Sequence, residues 1–209
     1  MLDEKGFDLW ADGYDRAVAL SDEENAYPFA GYRKVLNGIF RTVLQAQAKS
    51  VLDVGFGTGT LAAALYERGC DVYGQDFSSE MMALASAKMP GAHLFRADFT
   101  KGLAEPLRNR RYDCILSTYA LHHLTDAQKI PFLRGLMALL GENGKILIGD
   151  VAFETRGELN RCRQAAGDEW DDSECYFVAE ELRRAFPGLT FTRMSPCAGI
   201  LTLSRQPPA

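Results

Sequence analysis

The chain has 209 residues, enough for one domain that buries about 70% of the surface its unfolded chain exposes. Hydrophobic residues make up 47% and charged residues 24% of the sequence, proportions of a globular protein that exclude a disordered or collagenous chain. The net charge is −5 and no long basic run occurs, which disfavours nucleic acid as a partner because that binding depends on Lys and Arg.

The cysteine pattern and the apolar runs bear on where the protein works. The five cysteines are widely spaced and form no C-x-x-C pair, so reduced thiols are expected and no metal site is predicted. The first ten residues lack a basic region followed by an apolar one, and no apolar run reaches 18 residues. We expect a cytoplasmic monomer or homodimer that does not bind a membrane.

The first 48 residues differ from the rest of the chain. They predict a helix over 7–20, an acidic turn over 21–25 and a second helix over 32–47. Because they precede the first strand, we expect them to form a helical cap over the edge of a sheet. The predicted organisation is one domain over 1–209, with the cap at 1–48 and an α/β core at 49–205.

From residue 49 onward, apolar runs alternate with helical stretches. Such βα units predict a parallel sheet with helices on both faces. A helix near 178–186 and two short runs, LTFTRM and GILTLS, follow and predict a closing antiparallel hairpin. The five predicted parallel strands cover 50–56, 71–77, 93–99, 112–119 and 145–151.

The strongest motif is VLDVGFGTGTL at 51–61, in which three glycines follow a strand that carries Asp53. Glycine permits positive φ and close approach of a ligand, and the following helix offers unpaired N–H groups. A nucleotide-like ligand is therefore expected at this edge. The glycines are Gly55, Gly57 and Gly59.

The spacing also bears on which ligand binds. A dinucleotide fingerprint would place its third glycine at Thr60, and Asp53 suits a cationic amine better than a diphosphate. The spacing therefore disfavours an NAD(P)-dependent oxidoreductase, which stays open as an alternative enzyme. A protein that binds S-adenosylmethionine without catalysis is a second alternative, outside the enzymes.

The next two strands end in carboxylates. Asp76 can accept both hydroxyls of a ribose, as in NAD-binding and S-adenosylmethionine-binding proteins, or else cap a helix. Asp98 with Phe99 can hold an adenine, because the carboxylate can accept from the exocyclic amine of the base and the aromatic ring can lie against its face. The alternative for that pair is a surface carboxylate beside a core aromatic.

In sequence order, VLDVGFGTGTL, GQDFSSEMM, RADF, YDCILSTYALHHL and LLGENGKILIGD resemble the class I (Rossmann-like) S-adenosylmethionine-dependent methyltransferases over about residues 48–205. The segments FDLWADGYD and YPFAGY are similar to small methyltransferases of the YrrT type, a group without an established acceptor. The resemblance implies a three-layer fold with a seven-stranded, mostly parallel sheet whose last strand is antiparallel. It further implies methyl transfer to a small-molecule acceptor, leaving S-adenosyl-L-homocysteine.

The resemblance also implies roles for individual residues. Asp53 would lie near the methionine amine, Asp76 would hold the ribose, and Ser117 would face the methionine end through its backbone. Tyr14 would close over the methionine moiety, although packing of a helix explains it as well. The implied cofactor-binding set is Asp53, Gly55, Gly57, Gly59, Asp76, Phe77, Asp98, Phe99, Ser117 and Tyr14.

No catalytic base is assigned from the sequence. Methyl transfer from a sulfonium depends mostly on positioning and desolvation, and His-His-Leu segments are common at this position without catalytic duty. The candidates for a base, should one be used, are Tyr14, Tyr119, His122, His123 and Asp150, with Tyr14, His122 and His123 retained as site residues. The acidic residues of the segment 168–174 are interpreted as a solvated face, with attraction of a cationic amine as the alternative.

Overall fold

The computed structural model describes residues 27–205. Short 3-10 turns lie at Phe99–Lys101, Leu121–His123 and Gly167–Glu169. The strands are β1 (Ser50–Val54), β2 (Asp71–Asp76), β3 (His93–Arg96), β4 (Tyr112–Thr118), β5 (Leu140–Phe153), β6 (Phe177–Val178), β7 (Thr190–Arg193) and β8 (Ala198–Ser204). The helices are α1 (Tyr32–Gln45), α2 (Thr60–Glu67), α3 (Ser79–Lys88), α4 (Glu105–Arg108), α5 (Asp126–Ala138), α6 (Arg156–Ala166) and α7 (Ala179–Leu182).

The strands form one sheet in the order β3-β2-β1-β4-β5-β8-β7, with β6 paired to the end of β5. Strand β8 runs antiparallel to both of its neighbours, and the other pairs are parallel. The predicted α/β class and terminal hairpin are confirmed. Within residues 27–205 the two-residue β6 adds an eighth strand, because β5 continues to Phe153 and pairs there with Val178.

Alternate residues of each central strand face opposite layers of helices, as the two-residue period of a strand requires. Leu52 and Ile115 belong to a buried cluster with residues of α4 and α5. Val51 and Leu116 belong to a second buried cluster with residues of α1 and α2. Since burial of such a side chain contributes about 1.5–3 kcal/mol, these two clusters hold the three layers together.

Helix α1 lies on the face of the sheet, where it contacts β5 and β8. A Cβ atom built on Gly149 of β5 would lie 2.2 Å from Cγ1 of Val35, so the helix and the strand approach closely. This helix, expected in a cap over the edge, thus shares the core of the sheet. The predicted helix over 7–20 lies outside the described residues.

Several predicted elements end earlier than expected, most clearly β3 and the last helix. Strand β3 ends at Arg96, because the carboxylate of Asp98 accepts the backbone N–H of Thr100 and turns the chain into a 3-10 turn. The predicted helix near 178–186 is helical only over Ala179–Leu182. Between residues 27 and 205, every helix is too short or too polar to cross a membrane.

Candidate active site

A cavity of about 520 Å³ opens at the carboxyl ends of β1, β2 and β4. Open α/β sheets bind ligands at this edge, where the loops that follow neighbouring strands converge. Loops after four strands contribute to the lining, among them Gly57 after β1, Phe77 after β2, Phe99 after β3 and Tyr119 after β4. The edge predicted from the glycine motif is therefore concave and accessible.

The three glycines of the motif have positive φ angles but different surroundings. A Cβ atom on Gly55 would lie 2.6 Å from Cβ of Ala120, whereas a Cβ on Gly57 would meet nothing within 4 Å. Both of these glycines line the cavity. Gly59 precedes α2 and is not among the lining residues. A Cβ atom built on it would lie 2.9 Å from Cε of Met89. Gly59 thus permits close packing of helices.

Asp76 connects the glycine turn to the next helix. One carboxylate oxygen accepts the backbone N–H of Gly57 at 2.9 Å, and the other accepts that of Ser78 at 2.9 Å. Asp76 lines the cavity, and each carboxylate oxygen keeps a further lone pair. It can therefore accept hydroxyl groups of a ligand while holding both loops.

Asp53 lies in β1 two residues before Gly55, is 1% exposed, and is not itself among the residues that line the cavity. Its Oδ1 has no hydrogen-bond partner among the described residues. Burial, with a smaller contribution from the charge of Asp76, raises the pKa of Asp53 to about 7. Because a buried carboxylate without a partner is unfavourable, this group fits a ligand that brings a donor or a positive charge.

The predicted adenine residues are divided between two roles. The ring of Phe99 is 5% exposed and lines the cavity, and Phe77, which is 64% exposed, lies at its rim. Asp98 is not among the lining residues. Its Oδ1 accepts the N–H and the hydroxyl of Thr100, which lower the pKa of Asp98. Arg96, which sequence reasoning missed, lines the cavity and donates to the Phe77 carbonyl at 3.1 Å.

Residues at the end of β4 form another wall of the cavity. The Ser117 hydroxyl donates to the Val54 carbonyl at 2.7 Å, so this side chain joins β4 to β1 and does not line the cavity. Tyr119 lines the cavity and has a φ of 48°, uncommon for a residue with a side chain. Its ring centroid lies 5.1 Å from that of Tyr32 and 5.4 Å from that of Phe29. These three rings form an aromatic wall at this end of the cavity.

The two adjacent histidines differ in environment. His123 lines the cavity with half of its side chain exposed. His122 is buried, and its Nδ1 lies 2.7 Å from Oδ1 of Asp150. Burial alone would lower the pKa of His122, but the charge and hydrogen bond of Asp150 raise it above its ordinary value. The third candidate, Tyr14, lies outside the described residues.

Glu174 was interpreted as part of a solvated acidic face, but its side chain is only 21% exposed and lies against both histidines. Its Oε1 is 3.4 Å from Nε2 of His122 and 4.0 Å from Nδ1 of His123. No local pattern signals this contact, because Glu174 belongs to the loop before β6.

Comparison with known proteins agrees with this geometry. A family model described as a methyltransferase domain matches residues 51–144. An uncharacterized methyltransferase of Geobacillus kaustophilus is 41% identical over 161 residues, which cover 77% of this chain and 72% of the relative. Another from Oceanobacillus iheyensis is 31% identical over 192 residues, which cover 88% of this chain and 87% of the relative.

Solved structures share the fold. Magnesium protoporphyrin IX methyltransferase from Synechocystis PCC 6803, with bound SAH, has a TM-score of 0.69 at 17% identity and covers 95% of this chain and 91% of its own. The plantazolicin methyltransferase BpumL, in complex with a pentazolic desmethylPZN analog and SAH, has a TM-score of 0.61 at 15% identity over 94% and 92%. With these sequence relatives and this fold, the chain belongs to the class I (Rossmann-like) S-adenosylmethionine-dependent methyltransferases.

Proposed function

We propose that this methyltransferase binds S-adenosylmethionine in the described cavity and methylates a small molecule. The observation that carries the proposal is Asp53, a buried carboxylate with an unsatisfied oxygen just before the glycine turn. A ligand that carries an ammonium group satisfies such a site, because opposite charge offsets the cost of burying the carboxylate. The α-amino group of the cofactor has this chemistry.

The remaining parts of the cofactor have matching partners along the cavity. Asp76 accepts the ribose hydroxyls, and Gly57 leaves room for the nucleoside because a Cβ there would meet only open space. Phe99 and Phe77 offer apolar surfaces to the adenine. Asp98 contributes at most through its turn, and Ser117 acts through its backbone, because both side chains have other partners.

The acceptor approaches from the β4 side. When bound, the cofactor would supply an electrophilic methyl group, to whose carbon the acceptor's lone pair would bond as the carbon–sulfur bond breaks and its electron pair stays on sulfur. Tyr32 and Tyr119 form an aromatic wall at this end and His123 lies beside it. These rings hold the acceptor in line and exclude water, which favours displacement.

A small acceptor is favoured by the dimensions and the charge of the protein. The cavity volume of about 520 Å³, which the acceptor would share with the cofactor, falls within the range of small-molecule sites. The net charge of −5 disfavours a nucleic acid. We place the reaction in the cytoplasm, where the five free thiols would remain reduced.

Methyl-labelled S-adenosylmethionine distinguishes the acceptor classes. The protein is incubated with the cofactor and a cell extract divided into a low-molecular-weight fraction, protein and nucleic acid. We expect label in the low-molecular-weight fraction, and loss of that label in Asp53→Asn. Label confined to macromolecules would contradict the small-molecule acceptor. Binding of S-adenosylhomocysteine with no labelled product in any fraction would contradict catalysis.

A further inference from the structure

Three side chains from two separate loops meet beside the β4 end of the cavity, which one of them, His123, lines. His122 and His123 end the 3-10 turn after β4, and Glu174 lies in the loop before β6. One nitrogen or oxygen of each lies within 4.8 Å of the others. The closest contact, between His122 Nε2 and Glu174 Oε1, is 3.4 Å.

These separations suit a small divalent cation. Zinc lies about 2.0–2.2 Å from nitrogen and oxygen ligands, so tetrahedral ligand atoms are roughly 3.3–3.6 Å apart. The contact between His122 and Glu174 already has this length. His123 Nδ1 is 4.0 Å from the same Glu174 oxygen, and its side chain is 54% exposed. The remaining shortening of roughly 0.4–0.7 Å would require a small rotation of this exposed ring.

The orientation of His122 is fixed by a buried carboxylate. Its Nδ1 faces Asp150 Oδ1, which also accepts the backbone N–H of Val151 at 2.8 Å. A proton on Nδ1 leaves the lone pair of Nε2 directed to the side of Glu174. Metal-ligating histidines characteristically donate their second nitrogen to a carboxylate in this way, which fixes the tautomer and the ring.

The loop that carries Glu174 is anchored to the same place. The backbone N–H of Cys175 donates to the His122 carbonyl at 2.8 Å. The ammonium of Lys129, which is 1% exposed, donates to the Cys175 carbonyl and to Asp126. The backbone next to Glu174 is thus held against the histidine turn, so the three groups are brought together before any ligand binds.

From this geometry we infer that His122, His123 and Glu174 form a binding site for a divalent transition-metal cation of the zinc type. Two imidazoles and one carboxylate suit zinc or cobalt and leave a coordination position open. His123 also lines the cavity, so the cation would lie at its acceptor end. If the proposed function holds, the cation would bind an oxygen or sulfur of the acceptor and lower its pKa.

A metal-free arrangement of the same residues is the competing interpretation. His122 protonated on both nitrogens would bridge Asp150 and Glu174 as an imidazolium, and no cation would be required. The two arrangements differ in whether the protein binds a cation stoichiometrically and in whether that binding depends on Glu174 and His123.

The test uses full-length untagged protein, freed of metal with a chelator and titrated with Zn²⁺ by calorimetry and with Co²⁺ by visible absorption. We expect one equivalent per chain and the absorption of a nitrogen- and oxygen-ligated cobalt site. His123→Ala and Glu174→Gln should each weaken binding by roughly tenfold or more, and Asp150→Asn by about ten- to a hundredfold. His93→Ala is the matched control, since His93 is exposed and lies 3.5 Å from Asp71.

Each outcome bears directly on the site. Absence of saturable binding, or binding unchanged in His123→Ala and Glu174→Gln, would overturn the inference in favour of the bridging imidazolium. An equal loss in His93→Ala would overturn it in favour of unspecific surface binding. If His122→Ala does not fold, the variants of the two more exposed ligands decide the question. Because the titrations contain neither cofactor nor acceptor, their result is independent of methyl transfer.

Discussion

The carboxylate of Asp76, at the end of β2, accepts the backbone N–H of Gly57, in the turn after β1, at 2.9 Å. This single bond joins the ends of two adjacent strands at the rim of the cavity. It also fixes the position of the carboxylate relative to the glycine turn. The residue proposed to hold the ribose therefore also shapes the loop that the nucleoside approaches.

Replacement of Asp76 should weaken cofactor binding. Hydrogen bonds to a charged group contribute about 1.5–3 kcal/mol, so Asp76→Ala should reduce affinity for S-adenosylhomocysteine roughly ten- to a hundredfold. Asp76→Asn keeps one acceptor oxygen, so its affinity for S-adenosylhomocysteine should fall less than that of Asp76→Ala. Calorimetric titration of both variants measures the effect, with circular dichroism to check the fold.

Asp98→Ala is the comparison for this experiment. Its carboxylate is engaged by Thr100 and does not line the cavity, so the affinity should change less than in Asp76→Ala. A larger loss in Asp98→Ala than in Asp76→Ala would show that the nucleoside contacts are assigned to the wrong carboxylate.

Asp53→Asn should stabilise the ligand-free protein at high pH. The native pKa of about 7 lies above the ordinary value of 3.8, so between these values the native state binds more protons than the unfolded state. Stability contributed by this group therefore falls as pH rises from about 4 to 7, by on the order of 4 kcal/mol. In thermal unfolding from pH 5 to 8, the melting temperature of the variant relative to that of the wild type should increase as pH rises. A difference in melting temperature that does not vary with pH would contradict the raised pKa of Asp53.

The same substitution should act oppositely on cofactor binding. An ammonium group favours the ionised carboxylate, so wild-type affinity for S-adenosylhomocysteine should increase between pH 6 and pH 7. Asp53→Asn should bind more weakly at pH 8 and lose most of this rise. Calorimetry at matched ionic strength measures both effects, and a wild-type pH profile retained in the variant would exclude Asp53 as its source.

Alanine at two of the glycines should separate folding from binding. Gly55→Ala places a methyl 2.6 Å from Ala120 Cβ at a φ of 72°, which should destabilise the fold by roughly 2–5 kcal/mol. Gly57→Ala meets nothing within 4 Å, so only the backbone cost of about 1–2 kcal/mol applies. Its methyl would enter the cavity and reduce cofactor affinity about tenfold or more. Denaturant unfolding and calorimetry check the pair, and wild-type affinity in Gly57→Ala would contradict the close approach.

Gln47→Gly should stabilise the protein. Gln47 follows α1 with a left-handed φ of 52°, and its backbone N–H donates to the Leu44 carbonyl. A left-handed residue at this position after a helix is usually glycine. Relief of this conformation should contribute about 0.5–1 kcal/mol and raise the melting temperature by about 1–4 °C. Arg41→Gly, at an exposed position inside the same helix, is the control and should cost about 1 kcal/mol. Equal effects of the two substitutions would contradict this interpretation.

The sequence by itself determined the chain order of the parallel strands β1–β5 and the closing hairpin, and the edge at which the cavity opens, whereas β6, α4 and α6 were not predicted from it. Strand periodicity and the three glycines are local signals, because alternation reports two faces and a positive φ constrains single residues. The positions of Asp53 and Asp76 followed from the same logic, since the carboxyl ends of parallel strands converge.

The tertiary structure alone decided how these residues are partnered. It placed α1 on β5 and β8, engaged Asp98 with Thr100, and left Asp53 buried with an unsatisfied oxygen. It also brought Glu174 to the two histidines after β4. Burial and ion pairing depend on residues that are distant along the chain, and no local pattern records which of them will meet.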